Sequence, residues 1–198
     1  MKKIFLFFCI WNFIFLSGCT NSVNTKDSST KNLERKLAFI NYNEGYSFGN
    51  TQNAQVVIVE YSSYECKDCR NLHKNIGTTL KKYVKSGKLL YIYKPVDHPK
   101  FQNDEKINKY FAPKSLDDIE NIFDKFDLYS KKSYETVKAV LNLKEETVPN
   151  YETMNKAIEN ELTSGNITGT PTIYINGIKY KKVFTEQEFQ KLLDSYIK

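Results

Sequence analysis

The chain has 198 residues, of which 40% are hydrophobic and 26% are charged, so we expect one folded domain with short additional segments. This composition excludes a disordered chain and a chain embedded entirely in a membrane. The formal net charge is +6, but every basic residue except Arg35 and Arg70 is a lysine. Proteins that read nucleic-acid sequence rely on arginine to contact phosphates and base edges. We therefore expect a solvated lysine surface and no nucleic-acid partner.

The beginning of the chain has the pattern of a bacterial export signal. Two lysines precede an apolar run, residues 4–16, which is too short to span a bilayer but fits the hydrophobic region of a signal peptide. The run is followed by Ser17, Gly18 and Cys19, and small residues directly before a cysteine resemble the bacterial lipobox. We predict that residues 1–18 are a cleaved signal peptide and that Cys19 carries a lipid. The lipid would anchor the protein to the bacterial cell membrane, outside the cytoplasm. An ordinary signal peptide that happens to contain a cysteine is the alternative.

The segment after the predicted cleavage site has no pattern of a folded element. Residues 20–36 are rich in Ser, Thr, Asn and Lys and lack apolar periodicity, which is typical of a flexible tether. We assign residues 19–45 to the lipidated N-terminus and its tether, and residues 46–198 to the folded domain.

Two cysteines, Cys66 and Cys69, remain for the folded domain, because the other two fall in the predicted signal peptide and at its cleavage site. Their Cys-x-x-Cys spacing has three interpretations. Together with both histidines of the chain they could form a zinc site, but no second cysteine pair is present. A purely structural disulfide across so short a loop would restrict the unfolded chain little. The surrounding pattern favours the third interpretation, a redox-active pair.

The cysteine pair lies where a predicted strand meets a predicted helix. Residues 56–59 form a continuous β-branched apolar run, typical of a central strand that is buried on both faces. Apolar residues at helical spacing then follow the pair and end near Gly87. Backbone N–H groups and the helix dipole stabilise a thiolate at a helix N-terminus. We therefore predict that Cys66 is the attacking thiol and that Cys69, one turn later and less accessible, resolves the mixed disulfide.

Two segments of the sequence resemble the thioredoxin-fold disulfide oxidoreductases, most closely the DsbA-like branch. Residues 49–69 are similar to the family's strand, loop and active-site helix, and residues 167–177 to its cis-proline loop, following strand and hairpin. The resemblance implies an α/β thioredoxin fold, in which helices flank a mixed central sheet. It also implies that Pro171 faces the cysteine pair through a cis peptide bond, and that the backbone of Thr170 binds an extended substrate segment. From the residues alone, Pro171 could equally be a trans turn proline.

Glu60 is a further candidate for the site, and two interpretations of it are open. In the family this position often holds a buried acid beneath the active site, which exchanges a proton with the second cysteine. In an apolar setting the pKa of such a carboxyl would be raised, so that it could act as a base near neutral pH. Glu60 also stands at the end of the apolar run, where a glutamate can point into solvent.

The two matching segments are separated by a stretch that we predict to be an inserted helical subdomain, residues 97–164. A strand, residues 89–93, precedes it. Within it, helices are predicted after Ser115, after Ser133 and over residues 151–162, because apolar residues recur there at helical spacing. An insertion at this point distinguishes DsbA-like proteins from plain thioredoxins.

Two local signals follow the insertion. Asn176 and Gly177 lie between two β-prone runs and predict a type I′ hairpin turn. Residues 185–188 have the pattern of a capping box, which predicts the start of a last helix.

These features predict a membrane-anchored thiol–disulfide oxidoreductase, and we favour an oxidase that introduces disulfide bonds into exported proteins. Its expected partners are exported proteins with free thiols and a membrane redox partner that recycles the cysteine pair. We expect neither a cofactor nor a metal. Lys67 stands where the family usually has proline, and its charge opposes those of Glu65 and Asp68, so the redox direction does not follow from the sequence. A reductant for a specific exported protein and a redox-inactive accessory lipoprotein are the alternatives.

Overall fold

The computed structural model describes residues 37–197, so the predicted signal peptide, Cys19 and residues 20–36 of the tether lie outside the described residues. Its strands are β1 (Tyr46–Gly49), β2 (Val56–Ser62), β3 (Leu89–Pro95), β4 (Thr172–Ile175) and β5 (Ile178–Tyr180). They form one sheet in the order β1-β3-β2-β4-β5. The central pair β2 and β3 is parallel, and the other neighbours are antiparallel. The predicted mixed sheet is therefore confirmed.

Helices flank this sheet and also form the insertion. They are α1 (Lys67–Lys85), α2 (Asp104–Tyr110), α3 (Leu116–Asp124), α4 (Phe126–Tyr129), α5 (Tyr134–Leu141), α6 (Tyr151–Ser164) and α7 (Glu186–Tyr196). Helices α2 to α6 all lie between β3 and β4, and they form the inserted helical subdomain of the expected fold. The α/β fold class that we expected is confirmed as well.

The two faces of the sheet are buried under different elements. Because side chains alternate along a strand, Val56 and Ile58 of β2 point towards α1, α3 and α7. Val59 and Tyr61 point to the opposite face, where α6 and the segment before β1 cover them. Strand β2 is thus buried on both faces, as its continuous apolar sequence predicted.

The predicted helix starts agree with the structure, although the capping side chains differ in what they bond. The hydroxyls of Ser115 and Thr185 each accept a hydrogen bond from the backbone of the third helical residue, and each residue is part of a capping box. Ser133 also precedes its helix directly, but its hydroxyl pairs with that of Thr136 at 3.1 Å instead of capping the helix backbone. The hairpin turn is confirmed, since Asn176 and Gly177 both have positive φ, 46° and 78°.

Two helices of the insertion were not predicted. Helix α2 is short, and Asn103 before it makes no side-chain capping bond. Helix α4 follows α3 after the single residue Lys125 and has four residues, too few to show a period. Both therefore depend on tertiary packing rather than on a local signal.

The packed domain also begins earlier than the boundary that we predicted. Ile40 is buried, and the backbone N–H of Asn41 donates to Glu161 at 2.9 Å. The ammonium of Lys94 donates to the carbonyl of Asn41 at 2.8 Å and to Glu161 at 2.9 Å. Buried charges need such partners, and residues 37–45 supply some of them. This segment belongs to the folded domain, and only the part of the tether before it lies outside the described residues.

Candidate active site

Cys66 occupies the N-cap position of α1. Its backbone is extended, with φ −85° and ψ 118°, and its sulfur accepts a hydrogen bond from the backbone N–H of Cys69 at 3.4 Å. The first backbone N–H groups of a helix have no partner within the helix. Because Cys66 stands at the start of α1, its sulfur lies close to these N–H groups. The Cys66 side chain is 7% exposed and Cys69 is 0% exposed. Cys66, at the start of the helix, is thus the more accessible of the two thiols.

The two thiols hold their protons very differently. Hydrogen bonding from the Cys69 thiol, together with backbone N–H groups of Asp68 and Cys69, lowers the pKa of Cys66 to about 6 against the opposing effect of burial. Burial raises the pKa of Cys69 well above its ordinary value. At neutral pH, Cys66 is therefore mostly a thiolate, while Cys69 keeps its proton.

The loop that precedes β4 lies against the sulfur of Cys66. The Thr170–Pro171 peptide bond is cis, as the resemblance implied. The Cys66 sulfur lies 3.4 Å from the carbonyl oxygen of Thr170 and donates a hydrogen bond to it when the thiol is protonated. A surface cavity of about 280 Å³ opens beside this loop, lined by Asp68, residues 168–172 and residues 181–183. The structure thus brings Thr170 and Pro171 to the cysteine pair and leaves room next to them for a polypeptide segment.

Glu60 lies inside the protein, on the strand β2, and not at the surface. Its side chain is 0% exposed, accepts a hydrogen bond from the Tyr91 hydroxyl at 2.8 Å and lies 3.1 Å from Nε2 of His73. Burial acts to raise the pKa of Glu60, but the His73 imidazole and the Tyr91 hydroxyl outweigh it and the pKa is lowered. The expectation of a raised pKa is therefore wrong. Sequence reasoning did not show that His73 and Tyr91 converge on this carboxyl group.

Two further buried carboxyl groups hold the turn between β2 and α1. Asp104 accepts hydrogen bonds from the Ser63 hydroxyl at 2.6 Å and from the backbone N–H of Glu65 at 3.0 Å. The Glu65 carboxylate accepts from the backbone N–H of Asn103 at 2.9 Å and from its side chain at 3.1 Å. Because Asn103 and Asp104 start α2, the helical insertion fixes the turn that positions Cys66. Burial raises the pKa of Asp104 to about 8.

Sequence reasoning missed both of these contacts. Glu65 entered only as a charge beside Cys66, and Asp104 was not singled out. The only sequence signal is the polar pair Asn103 and Asp104 at the start of a short helix, a pattern that an exposed helix start shows equally often.

The histidines do not join the cysteines in a metal site. His73 pairs with Glu60, and His98 lies in the loop after β3, where its ring packs on Phe101. Over residues 37–197, no group of three or more Cys, His, Asp or Glu side chains is placed to hold a metal ion. In the same part of the chain, no helix is long and apolar enough to cross a membrane.

Comparison with known proteins agrees with this geometry. A family model described as thioredoxin matches residues 43–195. The chain belongs to the thioredoxin family. Comparison with curated proteins gives no significant match.

Solved structures share the whole fold at low sequence identity. A conserved protein of unknown function from Enterococcus faecalis V583 has a TM-score of 0.67 and 23% identity, and the match covers 79% of this chain and 93% of that one. A periplasmic thioredoxin-like protein from Salmonella enterica serovar Typhimurium has a TM-score of 0.59 and 13% identity, with coverages of 76% and 88%. Alpha-DsbA1 from Wolbachia pipientis has a TM-score of 0.60 and 20% identity, with coverages of 85% and 96%. The chain therefore has the DsbA-like form of the thioredoxin fold.

The pKa of Asp104 predicts how stability depends on pH. In the folded state Asp104 keeps its proton up to a pH of about 8, whereas an unfolded aspartate releases it near about 3.9. Between these values the folded state binds more protons, so the free energy of unfolding falls as the pH rises, by up to about 1.4 kcal/mol per pH unit from this group. Asp104→Asn resembles the protonated form and should remove this contribution. Its stability relative to the unmodified protein should increase between about pH 5 and pH 8.

Urea unfolding curves at several pH values measure the effect. Asp117→Asn is the matched control, because Asp117 has a side chain that is 70% exposed and bonds Lys81 at the surface. Its stability difference from the unmodified protein should change little over the same range. If the free energies of unfolding of Asp104→Asn and of the unmodified protein change with pH in parallel, the raised pKa of Asp104 is contradicted.

Proposed function

We propose that this chain is an extracytoplasmic thiol–disulfide oxidoreductase, and specifically an oxidase that introduces disulfide bonds into exported proteins through the Cys66–Cys69 pair. The observation that carries the proposal is the contrast between the two thiols. Cys66 sits at the N-terminus of α1 with a pKa of about 6, and Cys69 is fully buried with a raised pKa. A reactive pair of this kind, facing a cis-proline loop, suits disulfide exchange better than a structural disulfide.

The reaction proceeds in two exchanges. A substrate thiolate attacks the Cys66 sulfur of the Cys66–Cys69 disulfide, the bond between the two enzyme sulfurs breaks, and Cys69 leaves as a thiolate that takes up a proton. A second substrate thiolate then attacks the substrate sulfur of the mixed disulfide, and Cys66 leaves as a thiolate. The substrate has lost two electrons and gained a disulfide bond, and the enzyme holds both electrons as a dithiol. A membrane redox partner would take these electrons to regenerate the disulfide.

The oxidising direction is favoured by the stability of the Cys66 thiolate. A low pKa makes Cys66 a good leaving group and stabilises the reduced form of the pair, which makes the disulfide a stronger oxidant. A reductant that maintains one exported thiol would use the same residues in reverse and is the second candidate. A redox-inactive accessory lipoprotein would need neither the lowered pKa of Cys66 nor the burial of Cys69.

Substrate binding is proposed at the cis-proline loop. Thr170 and Pro171 lie against Cys66, and the cavity of about 280 Å³ beside them is open to the surface. An extended substrate segment would pair with the backbone of Thr170, which would bring its cysteine to Cys66 by β-strand addition.

Glu60 is proposed as the group that exchanges a proton with Cys69. It is fully buried on the side of β2 that faces α1, and its lowered pKa keeps it a carboxylate, the form that accepts a proton. The proposed role is the one expected from the sequence, but the pKa of Glu60 is shifted in the opposite direction, because His73 and Tyr91 bond the carboxyl group.

An extracytoplasmic, membrane-anchored location is also part of the proposal. The signal-peptide pattern and the position of Cys19 support export and lipidation. One structural relative is described as periplasmic, and disulfides form outside the reducing cytoplasm.

The roles of the two thiols can be tested by trapping. Cys69→Ala should accumulate mixed disulfides between Cys66 and exported proteins, because no second enzyme thiol remains to release them. Cys66→Ala leaves only the buried thiol of raised pKa and should trap at least about tenfold less, since each pKa unit changes the thiolate fraction about tenfold. Non-reducing gels of cells expressing each variant measure the adducts. More adducts with Cys66→Ala than with Cys69→Ala would reverse the assignment, and none with either would contradict the enzyme function.

Lipid anchoring can be tested at Cys19. Cys19→Ser should give a soluble exported protein or an uncleaved precursor, because the lipid acceptor is lost. Cys9→Ser is the matched control, since Cys9 lies in the predicted signal peptide and should be removed with it. Membrane fractionation with mass determination of the N-terminus measures both. A Cys19→Ser protein that is still cleaved after Gly18 and still partitions with membranes would contradict lipidation.

A further inference from the structure

Ser62 is a buried hydroxyl with an unusual position. It ends β2, is 0% exposed, and its Oγ has no hydrogen-bond partner at ordinary geometry within residues 37–197. Buried polar groups without a partner are rare and costly. The catalytic steps described above do not use this residue.

The register of strand and helix places Ser62 between the resolving thiol and Glu60. Ser62 and Glu60 are two residues apart on β2, so both point to the face that α1 covers. Cys69 and His73 are four residues apart on α1, so both lie on the helix face that packs on the sheet. Helix α1 runs back along β2 because it connects two parallel strands. Since Glu60 contacts His73, Ser62 lies at the level of Cys69.

The electrostatics of the neighbouring groups agree with this placement. Burial is the largest influence on Cys69 and raises its pKa, and the Ser62 hydroxyl opposes that rise. The same hydroxyl is among the groups that lower the pKa of Glu60, where it acts against burial together with His73 and Tyr91. The Ser62 hydroxyl therefore lowers the pKa of both the thiol and the carboxyl group.

The path continues from Glu60 to the surface through His73. The His73 imidazole is 3.1 Å from Glu60 and stacks on Phe123 at 4.6 Å between ring centroids. It also borders a cavity of about 340 Å³ between α1 and α3. The titratable and charged groups that face the imidazole or this cavity are Glu60 from β2, Tyr91 and Tyr93 from β3, Arg70 and Lys74 from α1, and Glu120 and Asp124 from α3.

We propose that Ser62, Glu60 and His73 form a proton route that connects the thiol of Cys69 to the cavity between α1 and α3. The route rests on the proposed redox function of the cysteine pair and adds to it the path by which the buried thiol gains or loses its proton. A hydroxyl is suited to the first position, because it accepts one hydrogen bond while it donates another. The imidazole is suited to the last, because it can accept a proton on one ring nitrogen and release one from the other.

Before Cys69 attacks a mixed disulfide at Cys66, it must lose its proton. Cys69 gives its proton to Ser62 Oγ while Ser62 passes its own to the Glu60 carboxylate. With His73 in the tautomer that carries its hydrogen on Nδ1, Nε2 takes up this proton from Glu60 and Nδ1 releases its own hydrogen to the cavity. The Cys69 thiolate then attacks the Cys66 sulfur of a mixed disulfide, the bond between Cys66 and its partner sulfur breaks, and the partner leaves as a thiolate. In the opposite direction the same groups return a proton to Cys69.

An aromatic disulfide, 5,5′-dithiobis(2-nitrobenzoate), separates the two thiols in time. The reduced protein should release thionitrobenzoate in two phases, first when Cys66 attacks the reagent and then when Cys69 attacks the resulting mixed disulfide. Ser62→Ala should leave the first phase unchanged and slow the second by at least about 100-fold at neutral pH, the lower end of what a positioned proton-transfer group contributes. Ser62→Thr keeps the hydroxyl and should restore most of the second phase. Thermal unfolding of each variant checks that the fold is retained.

A variant at the other end of the route provides a second test. His73→Gln can still hydrogen-bond Glu60 but cannot carry a proton. It should slow the second phase and change its pH profile, because no group remains to carry the proton from Glu60 to the cavity. A second phase at the unmodified rate and pH profile in either variant would overturn the route while the redox function stands. If the unmodified protein releases no second thionitrobenzoate, both the route and the redox function are wrong.

Discussion

The sulfur of Cys66 lies where the first backbone N–H groups of α1 have no other partner, and the chemistry of the molecule depends on that placement. A thiolate at this point is stabilised by the N–H of Cys69 and by the positive end of the helix. The neighbouring thiol, one turn later, is enclosed by the sheet and keeps its proton. A single helix start thus gives two identical side chains opposite properties, which disulfide exchange requires.

The helical insertion also helps to hold Cys66 in its position. Asn103 and Asp104 bind Glu65 and Ser63, and the hydroxyl of Tyr129 in α4 donates to the carbonyl of Tyr64 at 2.7 Å. Three successive residues before Cys66, residues 63–65, are therefore hydrogen-bonded to the insertion. Catalytic geometry tolerates little displacement. We therefore infer that the insertion packs directly on these residues because its contacts fix the position of Cys66.

Much of the fold follows from short-range signals. The apolar run of β2, the capping residues Ser115 and Thr185, and the Asn176–Gly177 turn each act within a few residues, and each has the predicted structure. The position of Cys66 at a helix start follows in the same way, because an apolar strand pattern ends before it and apolar residues at helical spacing begin after it.

The environment of the buried acids could not be derived in this way. The pKa of Glu60 is set by Tyr91 from another strand and by His73 from a helix, and no local pattern shows that these side chains meet. Asp104 reaches Ser63 and Glu65 across a chain separation that includes α1 and β3. Residues 37–45 join the domain because they complete the buried pair of Lys94 and Glu161, which is again a tertiary effect.

The reduction potential of the Cys66–Cys69 couple, measured at equilibrium with glutathione, tests the central claim most directly. A thiolate with a pKa of about 6 is intermediate between the attacking thiols of thioredoxin, about 7, and DsbA, about 3.5. The couple should therefore be more oxidising than that of thioredoxin, with a potential between about −270 and −120 mV. A potential below about −270 mV, or the lack of any reversible dithiol–disulfide equilibrium, would contradict an oxidase built on a stabilised Cys66 thiolate.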